Sequence, residues 1–262
     1  MTQPYLLFPD DDDGVRAAVP EKPTTPEPSG RPTFYILDAY SLIYQVYHAI
    51  DEMTGPSGQP TNAVFGIVRD LFNLLRDRKP AYLAAAFDGA GPVFRSEIYP
   101  EYKAQRAAMP DDMIPQIPVI RRAFDAFRVP VLLREGMEAD DVIATLTRVG
   151  VDRGLDVVIC TADKDARQLL SENVRILNLR KQQFLDVEGL RQVWGIRPEQ
   201  VVDYLSMTGD AVDNVPGIPG IGDKTATKLL EEFGTLENLL ANVSKVAGAK
   251  RKENLIEFAD VA

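Results

Sequence analysis

The stretch VVICTADKD, residues 157–165, decides the fold, because a short apolar run ends there in two closely spaced aspartates. Two other apolar runs of strand length end in the same way, residues 34–37 before Asp38 and residues 83–87 before Asp88. Buried strands that alternate with helices predict an α/β fold with a mostly parallel sheet. The other elements predicted from apolar spacing are three helices, over residues 42–47, 64–75 and 138–149, and one more strand, over residues 174–177.

The aspartates at the strand ends form the first candidate site. In a parallel sheet the ligand site lies outside the carboxyl ends of the strands, and three strands deliver Asp38, Asp88, and Asp163 with Asp165 to that edge. One such aspartate is commonly a helix cap, but three strand ends of this kind are hard to explain as caps. Carboxylates gathered in one crevice require a cation, and oxygen ligands favour magnesium or manganese over zinc.

A second group of acids opens the helix predicted over residues 138–149. Glu138, Asp140 and Asp141 fall within four consecutive positions, which places them in the first helical turn. The helix dipole favours each acid by only about 0.3–1 kcal/mol, and the carboxylates repel one another. Two interpretations stay open from this stretch alone: an acidic helix start in solvent, or part of the metal site.

A third candidate combines an acidic pair with a loop rich in glycine and proline. Asp210 and Asp213 precede residues 215–226, which lead into a helix. Glycines allow a ligand to approach the backbone, and a helix N-terminus offers amide donors to phosphate. An ordinary loop between helices is the alternative, and the spacing of a Walker P-loop is absent.

Bases and aromatic residues alternate between Asp88 and the acidic helix. This mixture suits single-stranded nucleic acid, whose phosphates meet cations and whose bases stack on rings. Nearby acids weaken the pattern, and Pro110, Pro115 and Pro118 predict broken helices in a mobile segment. The residues concerned are Arg95, Lys103, Arg106, Arg121, Arg122, Phe94, Tyr99 and Tyr102.

Composition limits the class of protein. The chain has 262 residues, 45% of them hydrophobic, and no apolar run long enough to span a membrane. No secretory signal pattern opens it, and its single cysteine, Cys160, excludes a disulfide framework, so a cytoplasmic location is predicted. The only histidine, His48, excludes a histidine-based metal site and is expected to pack. The net charge of −10 does not decide against nucleic acid, because acids and bases can occupy different faces.

Together these motifs resemble the 5′-nuclease domain of bacterial DNA polymerase I, within the flap endonuclease family. The resemblance covers about residues 33–262 and several motifs agree in order and spacing. It rests on residues 35–38 with Tyr44 and 47–49, on 87–88, 94–95, 102–103 and Arg106, and on 136–143, 161–165, 207–210, 213–214 and 216–226.

The resemblance implies a PIN-like core with a mostly parallel sheet, a helical arch at about residues 92–120, and a C-terminal helix–three-turn–helix subdomain similar to a helix-hairpin-helix. The corresponding domains are a disordered extension at 1–32, the nuclease core at 33–185, and the duplex-binding subdomain at 186–262. The implied activity is hydrolysis of DNA phosphodiesters at 5′ ends, flaps or single-strand/duplex junctions, in primer removal and repair. The implied cofactors are two Mg²⁺ ions, with Mn²⁺ as a substitute, and K⁺ at the helix–three-turn–helix.

The resemblance also implies roles for individual residues. Lys103, Arg106 and Arg95 would act on the scissile phosphate. The metal ligands would be Asp38, Asp88, Glu138, Asp140 and Asp141 around the first ion, and Asp163, Asp165, Asp210 and Asp213 around the second. The DNA-binding residues would be Tyr102, Gly217, Gly220, Gly222, Lys224 and Thr225.

Two features depart from the family pattern. A basic residue is expected where this chain has Gln45, and the chain stops in an apparent helix, residues 255–262, without a polymerase module. The implied partners are flapped, nicked or branched DNA, with an RNA primer strand also admitted, and a polymerase module in a longer chain. A monomer without membrane contact is expected. The alternative functions are a non-cleaving module for branched DNA and a PIN-type ribonuclease.

Overall fold

The computed structural model describes residues 29–259, so the acidic run Asp10–Asp13 and most of the predicted N-terminal extension lie outside the described residues. The chain forms two compact units. Among the described residues, 29–94 and 107–186 make the first, and 95–106 and 187–259 make the second. The segment 95–106, which the resemblance places in the arch of the nuclease core, therefore belongs with the second unit.

The first unit contains one sheet of six strands, in the order β3-β2-β1-β4-β5-β6. All neighbouring strands are parallel except β5 and β6, which are antiparallel. The four predicted strands and the mostly parallel sheet are confirmed, while β3 and β6 are too short for an apolar run to reveal. The strands are β1 Thr33–Asp38, β2 Tyr82–Ala86, β3 Val131–Leu132, β4 Asp156–Cys160, β5 Val174–Asn178 and β6 Gln183–Leu185.

Local interactions explain the start of the first helix and the end of the second. Asp38 caps the first helix by accepting a hydrogen bond of 3.2 Å from the Ser41 amide. The second helix ends at Lys79, which has a left-handed φ of 46° and precedes a proline. The first unit contains α1 Ala39–Ala49, α2 Asn62–Arg78, α4 Gln116–Ala126 and α5 Ala139–Asp152, whereas all but the first residue of α3 Phe94–Ile98 belongs to the second.

The prolines of the predicted arch act differently from the expectation. No regular helix covers residues 99–115, but Pro115 and Pro118 lie at the start of α4 rather than interrupting a helix. The first helical turn tolerates proline because its amides have no partner within the helix. The prediction that these two residues break helices was therefore wrong.

The core of the first unit packs α1, α2 and α4 against the sheet. Phe87 meets the ring of Phe124 edge to face, with the centroids 5.7 Å apart. Cys160 is fully buried at the end of β4, and burial raises the pKa of its thiol, as expected for a small core residue. His48, in contrast, is exposed and stacks against the ring of Tyr44 on the surface of α1.

The second unit is helical apart from its loops. Trp194 stacks on Tyr204 with ring centroids 4.8 Å apart, and the fully buried Leu190 and Leu239 fill its core. The helix predicted over residues 255–262 ends at Glu257, and residues 260–262 lie outside the described range. Besides α3, its helices are α6 Val187–Trp194, α7 Val201–Thr208, α8 Asp223–Phe233, α9 Leu236–Ala241 and α10 Ala249–Glu257. None of the helices within residues 29–259 is long and apolar enough to cross a membrane.

Candidate metal centre and nucleic-acid interface

Asp38 is the most buried acid of the candidate metal centre. It ends β1 with only 5% of its surface exposed. One carboxylate oxygen accepts a hydrogen bond from the Ser41 amide at 3.2 Å, and the other accepts one from the Thr161 hydroxyl at 2.7 Å. Burial raises the pKa of Asp38 to about 7, and the negative charges of Asp163 and Asp88 add to this effect. A bound cation would stabilise the ionised form of Asp38 against burial and these repulsions, so the site suits a cation.

Asp88 follows β2 and connects the sheet edge to the start of α5. Its Oδ1 accepts a hydrogen bond of 2.8 Å from the Ala139 amide, in the first turn of that helix. The next residue, Gly89, lies so close to the backbone of Arg134 that an added Cβ would come within 1.8 Å of its carbonyl oxygen. Only glycine allows the chain to leave Asp88 in this direction.

Asp163 and Asp165 follow β4, the strand beside β1. The Asp163 amide donates to the Thr161 hydroxyl at 2.9 Å, and the Asp165 amide donates to the Asp163 carboxylate at 2.9 Å. The two aspartates are therefore held in a tight turn. Because Leu37 pairs with Cys160 across the parallel strands, this turn lies at the same sheet edge as Asp38.

The acids at the start of α5 are not simply a solvated surface. Glu138 has only 6% of its surface exposed, and Asp140 and Asp141 are half-buried. Asp141 accepts a hydrogen bond of 3.0 Å from the Glu138 amide, which caps the helix. Buried Glu138 contradicts the alternative of an acidic helix start in solvent. These acids and the strand-end aspartates share the all-oxygen chemistry that hard divalent cations prefer.

Asp213 in the second unit is surrounded by predicted DNA-contacting residues. Its carboxylate accepts hydrogen bonds from Arg106 at 2.8 Å and from the Tyr102 hydroxyl at 3.1 Å, and Lys103 Nζ lies 3.6 Å away. Lys103 has an unusual φ of 56°, and its amide donates to the Asp213 carbonyl at 3.0 Å. Predicted phosphate ligands and a predicted metal ligand thus pair with one another.

The buried Asp210 shapes the turn that carries Asp213. Its amide and carbonyl pair with Val215, both at 2.8 Å, and its side chain accepts a hydrogen bond from the Val212 amide at 2.8 Å. Arg95, the third predicted base, lies in α3, where its carbonyl accepts a hydrogen bond from Tyr99.

The glycines of the loop between α7 and α8 differ in what they permit. A Cβ at Gly217 would lie 2.4 Å from the Thr208 backbone, so internal packing alone explains this glycine. Gly220 has a φ of 79°, which favours glycine, whereas a Cβ at Gly222 would meet nothing within 4 Å. Gly222 is the N-cap of α8, and Lys224 and Thr225 lie in the first turn of that helix.

The sequence analysis did not identify the groups that position the aspartates and the glycine-rich loop. Ser41 and Thr161 hold the strand-end aspartates. Gln45, noted in the sequence only as a departure from the family pattern, donates a hydrogen bond of 3.1 Å to the Ser41 carbonyl. Asn254, a buried amide on α10, donates to the carbonyl of Pro219 inside the glycine-rich loop. Thr161 stands within the quoted TADKD run, which was the one available signal.

Comparison with known proteins identifies the family. Residues 33–195 match the N-terminal, resolvase-like domain of 5'-3' exonucleases. This chain belongs to the 5'-3' exonuclease family. Residues 196–262 match the C-terminal SAM fold of the same family, which confirms the predicted family and the helical nature of the second domain. The finer description as a helix–three-turn–helix stays a prediction.

Individual relatives of this 5'-3' exonuclease family member support the match. The 5'-3' exonuclease of Aquifex aeolicus is 41% identical over 213 residues, which cover 81% of this chain and 74% of that protein. DNA polymerase I of Rhizobium leguminosarum is 41% identical over 236 residues, which cover 87% of this chain but only 23% of that protein. The chain thus spans less than a quarter of the polymerase's length.

A solved structure shares the fold. The bacteriophage T5 flap endonuclease, in a pseudo-enzyme-product complex with DNA and metal ions, superposes with a TM-score of 0.71 and 22% identity. The superposition covers 87% of this chain and 85% of that one. At this level of identity the likeness supports the fold.

Proposed function

We propose that this chain is a metal-dependent 5′ nuclease that hydrolyses DNA phosphodiesters at 5′ ends, flaps or single-strand/duplex junctions. The observation that carries the proposal is the acidic edge of the parallel sheet, where burial and neighbouring carboxylates raise the pKa of Asp38 to about 7. An uncompensated site of this kind would be unfavourable, whereas bound divalent cations would stabilise it. The names of the A. aeolicus and bacteriophage T5 proteins support the same activity.

The carboxylates are proposed to hold Mg²⁺, with Mn²⁺ as a substitute. Bound ions of this kind lower the pKa of water and stabilise the charge that develops on a phosphate. The protein supplies oxygen ligands from fixed positions, because hydrogen bonds hold Asp38, Asp88 and Asp163. The proposed ligands are Asp38, Asp88, Glu138, Asp140, Asp141, Asp163 and Asp165 of the first unit, and Asp210 and Asp213 of the second.

Lys103 and Arg106 are proposed to bind the phosphate that is cut, with Arg95 as a further base. Support comes from the contacts of Lys103 and Arg106 with the Asp213 carboxylate, since a carboxylate oxygen and a phosphate oxygen accept the same charge-assisted hydrogen bonds. Tyr102, which also contacts Asp213 and carries Lys103 above its ring at 4.8 Å, is proposed to contact the DNA.

The glycine-rich loop is proposed to hold the duplex by its backbone. Open space at Gly222 and the N-terminus of α8 suit a phosphate, and Lys224 and Thr225 lie in the adjoining turn. Gly220 supplies the turn, and Gly217 packs the loop onto the end of α7. A K⁺ ion at this loop, a polymerase module in a longer chain, a monomeric state and a cytoplasmic location belong to the same proposal.

A cleavage assay on a 5′-flap duplex tests the function. With Mg²⁺ the flap strand should be cut near the junction, EDTA should stop the reaction, and Mn²⁺ should restore it. A duplex without a flap and a single-stranded RNA of the same length serve as matched substrates. Binding of the flap without any cutting would indicate the non-cleaving module, and preferential cutting of the RNA would indicate the ribonuclease.

A further inference from the structure

The hydroxyl of Thr161 lies at the centre of a buried hydrogen-bond network in the first unit. It donates to Asp38 Oδ2 at 2.7 Å and accepts from the Asp163 amide at 2.9 Å, and only 2% of the residue is exposed. A hydroxyl has one proton, and an ionised carboxylate can only accept. The Thr161 hydroxyl therefore donates its proton to the Asp38 carboxylate and uses a lone pair to accept the hydrogen bond from the Asp163 amide.

Ser41 extends this network to the first helix. Its hydroxyl lies 3.3 Å from that of Thr161, and it accepts hydrogen bonds from the Ala162 amide at 3.0 Å and from Gln45 Nε2 at 3.3 Å. The end of β1, the start of α1 and the turn after β4 are therefore linked through two side-chain hydroxyls.

We propose that Thr161 is a positioning residue that fixes the Asp38 carboxylate relative to the turn of Asp163, and so prepares both aspartates to bind a divalent cation. This inference rests on the proposed function. Each carboxylate oxygen of Asp38 accepts one hydrogen bond and keeps a second lone pair for a cation. Without the Thr161 hydroxyl, a buried carboxylate beside a like charge would lose its closest donor.

Thr161→Val tests the hydroxyl while keeping the side-chain shape. Loss of a hydrogen bond behind a metal ligand typically weakens metal binding or activity about 10–100-fold. We expect Mn²⁺ binding to the DNA-free protein, measured by electron paramagnetic resonance of the free ion, to weaken about tenfold or more. The Mg²⁺ concentration for half-maximal cleavage should rise in parallel, and binding of flap DNA in EDTA should stay within about twofold of wild type. Thr161→Ser should restore most of the metal affinity.

Thr147→Val is the matched control. Thr147 is buried on α5 of the same unit, and within the described part of the chain its hydroxyl has no hydrogen-bond partner. The same chemical change there should leave Mn²⁺ binding and cleavage unaltered. A general effect of replacing a buried threonine would appear equally in both variants and would overturn the inference.

The outcomes separate this inference from the proposed function. A wild-type protein that neither binds Mn²⁺ nor cleaves a flap would overturn the proposed function itself. A wild-type protein that does both, with Thr161→Val showing the same Mn²⁺ affinity, would overturn only the positioning role. Where Thr161→Val does not fold by circular dichroism, Thr161→Ser and Thr161→Ala replace it, because they differ only in the hydroxyl. Equal Mn²⁺ affinity of that pair would also overturn the role.

Discussion

The guanidinium group of Arg106 donates a hydrogen bond of 2.8 Å to the carboxylate of Asp213. The first residue is proposed to bind phosphate and the second to bind metal, yet each serves as the counter-charge of the other. Lys103, with its ammonium group 3.6 Å from Asp213, shares the arrangement. A phosphate that binds Arg106 and Lys103 would displace the Asp213 carboxylate from them. That carboxylate would then be available to bind a metal ion.

Asp213→Asn should therefore strengthen DNA binding in the absence of metal while reducing cleavage. Removing the carboxylate frees Arg106 and Lys103 for phosphate, but Arg106 is partly exposed, so the gain should be only a few-fold. Fluorescence anisotropy with a 5′-flap duplex in EDTA measures the affinity. Glu199→Gln, which removes an exposed acid 3.8 Å from Arg197 in the same unit, is the matched control. Equal affinities of the two variants would contradict the self-pairing account.

The metal-free protein should lose stability as the pH rises. The pKa of Asp38 is raised to about 7 in the folded protein, whereas an ordinary aspartate titrates near 4. Between these values the folded state binds more protons than the unfolded state. The free energy of unfolding therefore falls as the pH rises, by up to about 1.4 kcal/mol for each pH unit. Mg²⁺ should consequently raise the melting temperature more at pH 8 than at pH 5.5, as followed by differential scanning fluorimetry. Asp38→Asn should flatten the pH dependence, and equal Mg²⁺ effects at both pH values would argue against a metal at Asp38.

Asp163→Ala and Asp165→Ala should each reduce Mg²⁺-dependent cleavage by at least about a hundredfold and leave DNA binding in EDTA largely intact. The fold should survive, because the charge of Asp163 disfavours ionised Asp38 and its removal relieves that repulsion. Single-turnover rates and melting temperatures check both points. Asp152→Ala, an exposed acid at the end of α5, is the control. Cleavage near the wild-type rate in both variants would remove this turn from the metal centre.

Gln45→Arg and Gln45→Lys should raise the single-turnover rate on a 5′ flap several-fold. A charge-assisted bond to phosphate is worth about 1.5–3 kcal/mol, and the resemblance described above implies a base at this position. Lys103→Ala should lower the rate at least about tenfold. Because Gln45 also donates a hydrogen bond to Ser41, Gln45→Met separates the loss of that bond from the gain of charge. Unchanged or slower cleavage by both charged variants, with the fold intact, would exclude this position from the mechanism.

Gly222→Val and Gly217→Val should fail in different ways. A Cβ at Gly222 would face open space, and the φ of −101° at this residue suits any amino acid. The Gly222→Val variant should therefore fold but bind duplex several-fold more weakly. Gly217→Val should lower the melting temperature, because its Cβ would collide with the Thr208 backbone. Duplex affinity at rising salt completes the test, since phosphate contacts weaken with salt. Salt-independent binding, or full affinity of Gly222→Val, would indicate an ordinary loop.

The sequence predicts those parts of the molecule that local patterns determine. Apolar runs ending in aspartate locate β1, β2 and β4, and their parallel order brings Asp38 and Asp163 to one edge. The burial of Glu138 depends on what packs around it, so the same acids were equally consistent with a solvated helix start. Local pattern also could not distinguish Gly217, required by packing, from Gly222, which is open. The pairing of Arg106 with Asp213 joins residues far apart in the chain, and no spacing rule reveals it.

One side-chain amide connects the last described helix to the glycine-rich loop. Asn254 on α10 donates to the carbonyl of Pro219, between the turn glycine Gly220 and the packed Gly217. The loop is therefore anchored at one side by the end of α7 and at the other by α10. A displacement of α10 would shift the Pro219 carbonyl with it, so we expect the duplex contact proposed for this loop to depend on how α10 packs.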